Sequence, residues 1–331
     1  MTTNSRNKYL REEYTSRINR VIDYIEINLN KDLSLQELAG VANFSPFHFH
    51  RIFSAIIGET LNDFIQRIRL EKAASKLVLN PKISITEIAL EFGFSGSATF
   101  ARAFKDSFKM SASEWRAGGY LEDRKISKED SKERQGLHNN RKEFQVSSMY
   151  TIDETYNFAW RVEMKGNSQL QARVEVKDIP EMTIAYIRHI GPYEGDAELF
   201  GRLFEKLMMW AGPRGLIRPP ETKIMTVYYD NPDITDKDKL RVDAYISVPE
   251  DTQVDGEIGK SKIPAGKYAI AHFEVKTEQF GDAWNAVYGG WLPESGYQPA
   301  DGPCFEMYYN DHREHPEGKH IFDIGVPVKP L

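Results

Sequence analysis

One pattern is written twice between Ser34 and Arg116, and it limits the fold of that stretch more than any other feature of the chain. The first copy runs Leu35-Gln36-Glu37-Leu38-Ala39, Asn43-Phe44-Ser45 and Phe49-His50-Arg51-Ile52-Phe53. The second runs Ile85-Thr86-Glu87-Ile88-Ala89, Gly93-Phe94-Ser95 and Phe100-Ala101-Arg102-Ala103-Phe104. The copies are offset by fifty residues up to the serine and by fifty-one after it. Leu35, Leu38 and Ala39, like Ile85, Ile88 and Ala89, share one helix face, with a small residue where a second helix crosses. Ser45 and Ser95 are read as N-caps of the second helix, which Phe49/Phe53 and Phe100/Phe104, four apart, anchor to a core. Each copy is therefore a predicted helix-turn-helix. On the second helices, Pro46, Phe47, His48, His50 and Arg51 in copy one, and Ser97, Ala98, Ala101, Arg102 and Lys105 in copy two, are expected to face outward, short or cationic enough to enter a major groove. The alternative is an ordinary solvated helix face, which two copies at near-constant spacing disfavour.

The flanks fit this frame. Tyr14 to Asn30 carries Ile18, Val21, Ile22, Ile25 and Leu29 on one helix face. Leu61 to Leu77 predicts a long helix between the copies, ended by Asn80-Pro81. Through Tyr120 there are sixteen Lys and Arg against thirteen Asp and Glu, whereas the whole chain has 43 against 49. The basic bias thus sits where phosphates would be met, and the remaining half is acidic. No apolar run approaches a membrane span and no signal-peptide stretch follows Met1, so a cytoplasmic protein without membrane contact is expected. The single cysteine, Cys304, excludes an internal disulfide and a cysteine-based zinc site. His312-x-x-His315 lies in a charged turn and is read as such, so neither metal nor cofactor is expected.

This first region resembles the AraC/XylS transcriptional regulators. The resemblance covers about Thr15 to Gly118, both helix-turn-helix units, the connecting helix and Gly93-Phe94-x5-Phe100-x-Arg102-x-Phe104-Lys105. It implies a double-stranded DNA operator as partner, read by Phe47, His48, His50, Arg51, Ser97, Ala98, Arg102 and Lys105, and it favours an activator that recruits RNA polymerase. Where that family usually has Gly and then Ser-Pro after the second recognition helix, this chain has Lys109 and Ser111-Ala112, which predicts a looser last turn.

From Gly118 to Arg141 the composition turns to Glu, Asp, Arg, Lys, Ser, Gln and Asn, with too little apolar surface to offset ordering. The expected organisation is a DNA-binding domain at 10–118, a linker at 119–143 and a third region at 144–331. Aromatic and β-branched residues from Phe144 to Trp160 predict a strand or two. About Gln171 to Leu331 is a second duplication. The first half reads as Val174-x-Val176 into Ile179-Pro180, strand Thr183–His189, helix Asp196–Ala211, and strands Thr226–Asp230 and Arg241–Val248. The second reads as Ile263-Pro264, strand Lys267–Phe273, helix Thr277–Trp291, and strands Cys304–Tyr309 and Ile321–Val326. The fold class is thus multidomain: an all-α tandem helix-turn-helix domain, then a duplicated α+β domain with β-helix-β-β twice, its halves paired about a pseudo-twofold axis with the cleft between them.

The third region resembles the GyrI-like effector-binding domain, also found in multidrug-sensing regulators. Ile187-Arg188-His189-Ile190-Gly191-Pro192-Tyr193, Phe305-Glu306-Met307-Tyr308-Tyr309-Asn310-Asp311 and Ile324-Gly325-Val326-Pro327-Val328 carry the resemblance. It implies an aromatic cleft for an amphipathic, often cationic, small-molecule effector, with a buried carboxylate. Strand alternation puts Glu306 on one face with Tyr308, and Trp284, Trp291, Tyr193 and Phe200 are the rings expected to surround it, attracting a flat cation by charge and by cation–π contact. The competing reading makes Glu306 a solvated edge-strand residue and the rings core, as Trp210 and Phe204 are read. A cleft Glu and Tyr could also act as acid and base in a hydrolase, but no nucleophilic triad or phosphate loop is visible and no catalytic residue is assigned. A module that binds a protein partner is the remaining alternative.

Overall fold

The computed structural model describes residues 3–118, 146–148, 151–152, 158–159, 162–164, 170, 172–193, 196–230 and 237–331. The chain divides into two compact units, one from Arg11 to Asn167 and one containing Ser168–Leu331. The expected linker at 119–143 lies outside the described residues.

In the first unit α1 (Thr3–Ile27) buries Tyr14, Ile18, Val21, Ile22 and Ile25, the three- and four-residue spacing of a single stripe. Copy one is α2 (Leu35–Ala42) and α3 (Pro46–Ile57); copy two is α5 (Ile85–Glu91) and α6 (Ser97–Phe108); α4 (Leu61–Leu79) joins them and α7 (Ala112–Arg116) follows. Each copy closes on aromatic rings. Phe49 meets Phe53 at 5.8 Å and Phe53 meets Phe64 of α4 at 5.3 Å, while Phe94, Phe100 and Phe104 meet in sequence at 5.1 and 5.3 Å. Wholly buried rings of this size contribute about 1.5–3 kcal/mol each before entropy is counted. The predicted looseness after α6 is absent. Lys109 takes the left-handed conformation (φ 58) despite its side chain, and Ser111 and Glu114 form a reciprocal capping box that starts α7. Trp115 then donates to the Ala74 carbonyl at 3.1 Å and Arg116 to that of Ile83 at 2.8 Å, fastening α7 to the core of copy two.

The strands expected after Phe144 are short antiparallel ladders, β1 (Val146–Ser148) with β4 (Val162–Met164) and β2 (Thr151–Ile152) with β3 (Phe158–Ala159). The duplicated region is one antiparallel sheet. Its strands are β5 (Arg173–Ile179), β6 (Met182–Ile190), β7 (Ile224–Tyr228), β8 (Arg241–Ser247), β9 (Gly259–Ile263), β10 (Gly266–Val275), β11 (Tyr297–Pro299), β12 (Phe305–Tyr308) and β13 (His320–Pro330), ordered β5-β10-β13-β12-β7-β8-β6-β9 with β11 on β13. Helix α8 (Ala197–Ala211) follows β6. The counterpart after β10 is α9 (Phe280–Asn285), a π-helical stretch Ala286–Trp291 and α10 (Leu292–Ser295). The sequence predicted a single helix here; Gly289, Gly290 and Pro293 interrupt it. β9 and β11 were not foreseen.

The strand order is a palindrome under the repeat, since β5, β10, β13 and β12 are the counterparts of β9, β6, β8 and β7. The pseudo-twofold axis therefore passes between β7 and β12, where Glu306 pairs in register with its own counterpart, Thr226. Only Pro264-Ala265 separates β9 from β10, and only Pro180-Glu181 separates β5 from β6. A three-residue step of about 11 Å at most thus ties each edge strand to the strand next to the opposite edge, and the sheet must curl. Inside the curl lie Ile184, Met225, Val227, Tyr245, Ile263, Tyr268, Ile270 and Phe305. On the other face, α8 lays Leu199, Leu203 and Leu207 over Ile187, Val242, Ala244 and Ile246. The inner face also holds a matched pair of buried carboxylates. Asp243 accepts both Arg188 Nε (2.8 Å) and Nη2 (2.7 Å), with the guanidinium 5.1 Å from the Tyr186 ring and 4.9 Å from that of Tyr229. Its counterpart Asp323 is bonded by His272 at 2.7 Å and by the Tyr309 hydroxyl at 2.5 Å.

Candidate DNA interface and ligand-binding cleft

The helix-turn-helix copies share their turn chemistry. In copy one Asn43 N–H donates to Gly40 O and Phe44 N–H to Ala39 O; in copy two Gly93 N–H donates to Leu90 O and Phe94 N–H to Ala89 O. Asn43 (φ 55) and Gly93 (φ 75) are both left-handed. The capping serines differ from the expectation. Ser34 and Ser84 cap the first helices, accepting from Glu37 N at 3.2 Å and Glu87 N at 3.0 Å. Ser45 precedes α3 but makes no cap bond, Pro46 taking the first helical position, and α6 starts from Gly96 while Ser95 bonds Thr99.

The two recognition helices are not equivalent. On α6, Ser97, Ala98, Ala101, Arg102 and Lys105 are all exposed, as expected, and so is Thr99, which sequence reasoning omitted although it lies on the same face. On α3, Pro46, Phe47 and Arg51 are half-buried, the Arg51 guanidinium 6.0 Å from the Phe47 ring. His48 and His50 are buried, at 0% and 5% exposure, which corrects their reading as outward groups. His48 joins Phe49, Ile52, Phe53 and Ile56 in a buried band wider than the two-phenylalanine anchor suggested, its ring edge-on to Phe47 at 4.9 Å. His50 turns back toward the Pro46 carbonyl (Nδ1 at 3.5 Å), and its Nε2 is buried without a hydrogen bond. Burial, helped by the charge of Arg51, lowers its pKa to about 3, so it packs as a neutral ring.

On the duplicated sheet, Glu306 is 1% exposed on the central strand β12, so it is not a solvated edge residue. Trp284 Nε1 donates to its Oε1 at 2.6 Å, and the hydroxyls of Tyr308 (2.6 Å) and Tyr228 (3.1 Å) donate to Oε2. Burial first, and then the Glu306 charge, pushes both phenols well above their usual range. Tyr193 and Phe200 lie against Tyr228, whose ring is 5.5 Å from Tyr193 and 6.4 Å from Phe200. Phe204, read as core, stands edge-on to Tyr308 at 6.1 Å. Trp291 instead stacks on Tyr297 at 6.2 Å, and Trp210 donates to Asp255 under the Arg214 guanidinium. Tyr228 is the residue that sequence reasoning missed. The signal was present, because Thr226-Val227-Tyr228-Tyr229 repeats eighty residues later as Glu306-Met307-Tyr308-Tyr309. The whole arrangement is a buried carboxyl group that accepts from an indole and two phenols and is walled by rings from α8 and α9. His312 stacks on His320 at 4.2 Å, and the His315 Nδ1 accepts from the backbone of Glu317 and Lys319. No helix among the described residues is long and apolar enough to cross a membrane.

Comparison with known proteins separates the same two regions. A GyrI-like small molecule binding domain matches residues 134–329, and a helix-turn-helix domain matches residues 38–118. Curated relatives include DNA gyrase inhibitors of Edwardsiella ictaluri (33% identical over 162 residues, 47% of this chain and 98% of the relative) and of Erwinia billingiae (34% over 158 residues, 47% and 96%). The DNA gyrase inhibitor of Escherichia coli K12 is 33% identical over 162 residues, again 47% of this chain and 96% of the relative. Among solved structures, an EcmrR–DNA complex covers 90% of this chain and 99% of its own at 15% identity and a TM-score of 0.42. The EcmrR C-terminal domain covers 49% and 100% at 20% identity and a TM-score of 0.41. The chain therefore belongs to the GyrI-like family of small molecule binding domains and, with its AraC-type tandem helix-turn-helix region, is a DNA-binding transcriptional regulator that senses a small molecule.

Proposed function

We propose that this regulator reads an operator with both helix-turn-helix units and answers to an amphipathic cation at Glu306. The observation that carries the ligand reading is the buried Glu306 carboxylate under Trp284, Tyr228 and Tyr308, an anion set among π faces. Tyr193, Phe200 and Phe204 form the second ring of that wall, and Trp291 has no part in it. Arg102 on the exposed face of α6 is the principal base reader, worth ~1–3 kcal/mol if bidentate to guanine; Ser97, Ala98 and Lys105 flank it. On α3, Arg51 and Phe47 are the reading residues, and His48 and His50 support them from beneath. The regulator acts as an activator through RNA polymerase and catalyses no reaction. A ligand that changes operator affinity by a typical ~1–3 kcal/mol coupling shifts it roughly 5–150-fold.

The test is calorimetry of the full chain with a rhodamine ester as flat cation and a neutral aromatic of similar size, comparing wild type with Glu306→Gln. Selective loss of the cation supports the reading; equal loss of both makes Glu306 structural. Transcription from an operator-bearing promoter tests the direction of control, and a fall in transcript on adding protein overturns activation. The likeness to DNA gyrase inhibitors over 47% of the chain favours a second reading, in which this half binds gyrase. Inhibition of supercoiling by the purified chain, unaffected by Glu306→Gln, would replace the first reading with that one.

A further inference from the structure

The connecting helix α4 is not the only element that spans the two helix-turn-helix copies. Helix α1 touches the turn of copy one, and the turn just past its C-terminus reaches that of copy two. Near its middle, Arg17 donates to the Asn43 carbonyl at 3.3 Å and lies 5.1 Å from the Phe44 ring, and Tyr14 meets the same ring at 5.3 Å. These are the turn residues of copy one. Just past its C-terminus, the Leu29 carbonyl reaches the turn of copy two, where a Cβ on Gly93 would stand 2.3 Å from it and 2.9 Å from Arg69 Nη2. Arg69, on α4, closes the junction by donating Nε to Leu29 O at 2.9 Å and Nη2 to Lys31 O at 2.7 Å. Three elements thus meet at one point: the end of α1, the side of α4 and the turn of copy two.

The sequence difference between the turns follows from this junction. Both turn residues are left-handed, with φ 55 at Asn43 and 75 at Gly93, and asparagine tolerates that conformation well. Copy one therefore keeps a side chain, exposed at Asn43. Copy two cannot, because the Leu29 carbonyl, just past α1, and the Arg69 guanidinium occupy the space. The glycine answers to a neighbour as well as to a backbone angle.

We propose that α1 is a brace that sets the spacing and phase of the two recognition helices, and that Arg69 is the positioning residue that locks it. This rests on the reading that both units engage DNA. A single rigid helix fixes separation but leaves rotation of each unit about its own attachment. Fastening both turns to one further helix removes that freedom, and two reading heads a helical turn apart (~34 Å) discriminate half-site spacing only if their phase is held.

The experiment uses the full chain on duplexes selected by wild type from a randomised pool, then rebuilt with the two half-sites moved one or two base pairs apart or together, and on a single half-site. Wild type should prefer one spacing sharply. Arg69→Ala should leave single-half-site affinity unchanged and flatten the spacing preference roughly tenfold, the order expected for losing charge-assisted bonds. Arg69→Lys, which keeps one donor, should fall between. Gly93→Asn, which installs the residue of copy one, should flatten it likewise, whereas the reciprocal Asn43→Gly should not. An unchanged spacing profile in Arg69→Ala and Gly93→Asn overturns the brace, as does an equal loss on every duplex including the single half-site. If wild type itself shows no spacing preference on selected duplexes, the two-unit reading fails instead.

Discussion

Replacing Glu306 separates what the carboxylate does for the fold from what it does for a ligand. Glu306→Ala leaves Trp284 Nε1 and the hydroxyls of Tyr228 and Tyr308 without their acceptor. Each orphaned buried donor costs about 1–3 kcal/mol, so the sum of roughly 3–9 kcal/mol is comparable with the ~5–15 kcal/mol that holds a domain together. Glu306→Gln is different in kind. Indole can only donate, whereas a phenol hydroxyl both donates and accepts. The amide must therefore turn its oxygen to Trp284 and its nitrogen to the tyrosines, whose hydroxyls rotate to receive it. All three contacts survive as neutral bonds, each about half as strong as before, and the cost of burying a charge disappears, which offsets several kcal/mol. The expectation is a change within about 2 kcal/mol of wild type for Gln and a near-complete loss of the folded C-terminal unit for Ala. Chemical denaturation of the full chain, followed by tryptophan fluorescence and far-UV circular dichroism, reads both. A Gln variant as unstable as Ala would refute the argument that the hydroxyls can reverse.

Thr226 offers a milder experiment: its Oγ1 is buried beside the Tyr308 hydroxyl without a hydrogen bond of good geometry, so Thr226→Val should change stability by no more than about 1 kcal/mol in the same denaturation assay. Tyr228 and Tyr308 keep their protons to higher pH in the folded chain than in the unfolded one. Above about pH 10 the unfolded state is the one that has released them, so stability should fall as pH rises through that range, and less steeply in Tyr228→Phe; a flat alkaline profile in wild type would count against it. His50, held neutral to about pH 3 when folded, takes up its proton near pH 6.5 when unfolded. The helical unit should therefore lose stability between about pH 6.5 and 3, and His50→Gln should remove that component of an acid titration.

Repetition made most of the fold legible. The fifty-residue offset between Leu38 and Ile88 gave both helix-turn-helix units, and the offset between Arg241–Val248 and Ile321–Val326 gave the doubled α+β region. Glu306 and Tyr308 could be placed on one face because period-two alternation is a local signal, whereas Trp284 was named only as one of several rings expected around them. What failed was tertiary. Nothing in Phe47-His48-Phe49-His50 says that a histidine can be held uncharged inside, since residue type reports polarity and burial depends on neighbours far along the chain. Phe204 packs against Tyr308 and Trp291 against Tyr297, the reverse of the expected placement, because the π-helical stretch Ala286–Trp291 carries Trp291 out of phase. The brace was invisible for the same reason. Leu29 and Gly93 are sixty-four residues apart, and a glycine in a turn already has a local explanation.

The pairing of Glu306 with Thr226 on the pseudo-twofold axis bears on how a guest can lie. A container built from two identical halves would accept any unsymmetrical guest in two equivalent poses, head to tail, and could pass no sense of direction to what surrounds it. Here the walls keep the doubling, Tyr228 answering Tyr308, while the one position that the axis brings face to face with itself carries an acid on one strand and a hydroxyl on the other. The carboxyl group is thereby confined to a single half, and a cation bound there would have a defined front and back. Exchanging the two residues, Thr226→Glu with Glu306→Thr, should invert that polarity with little change in the shape of the walls.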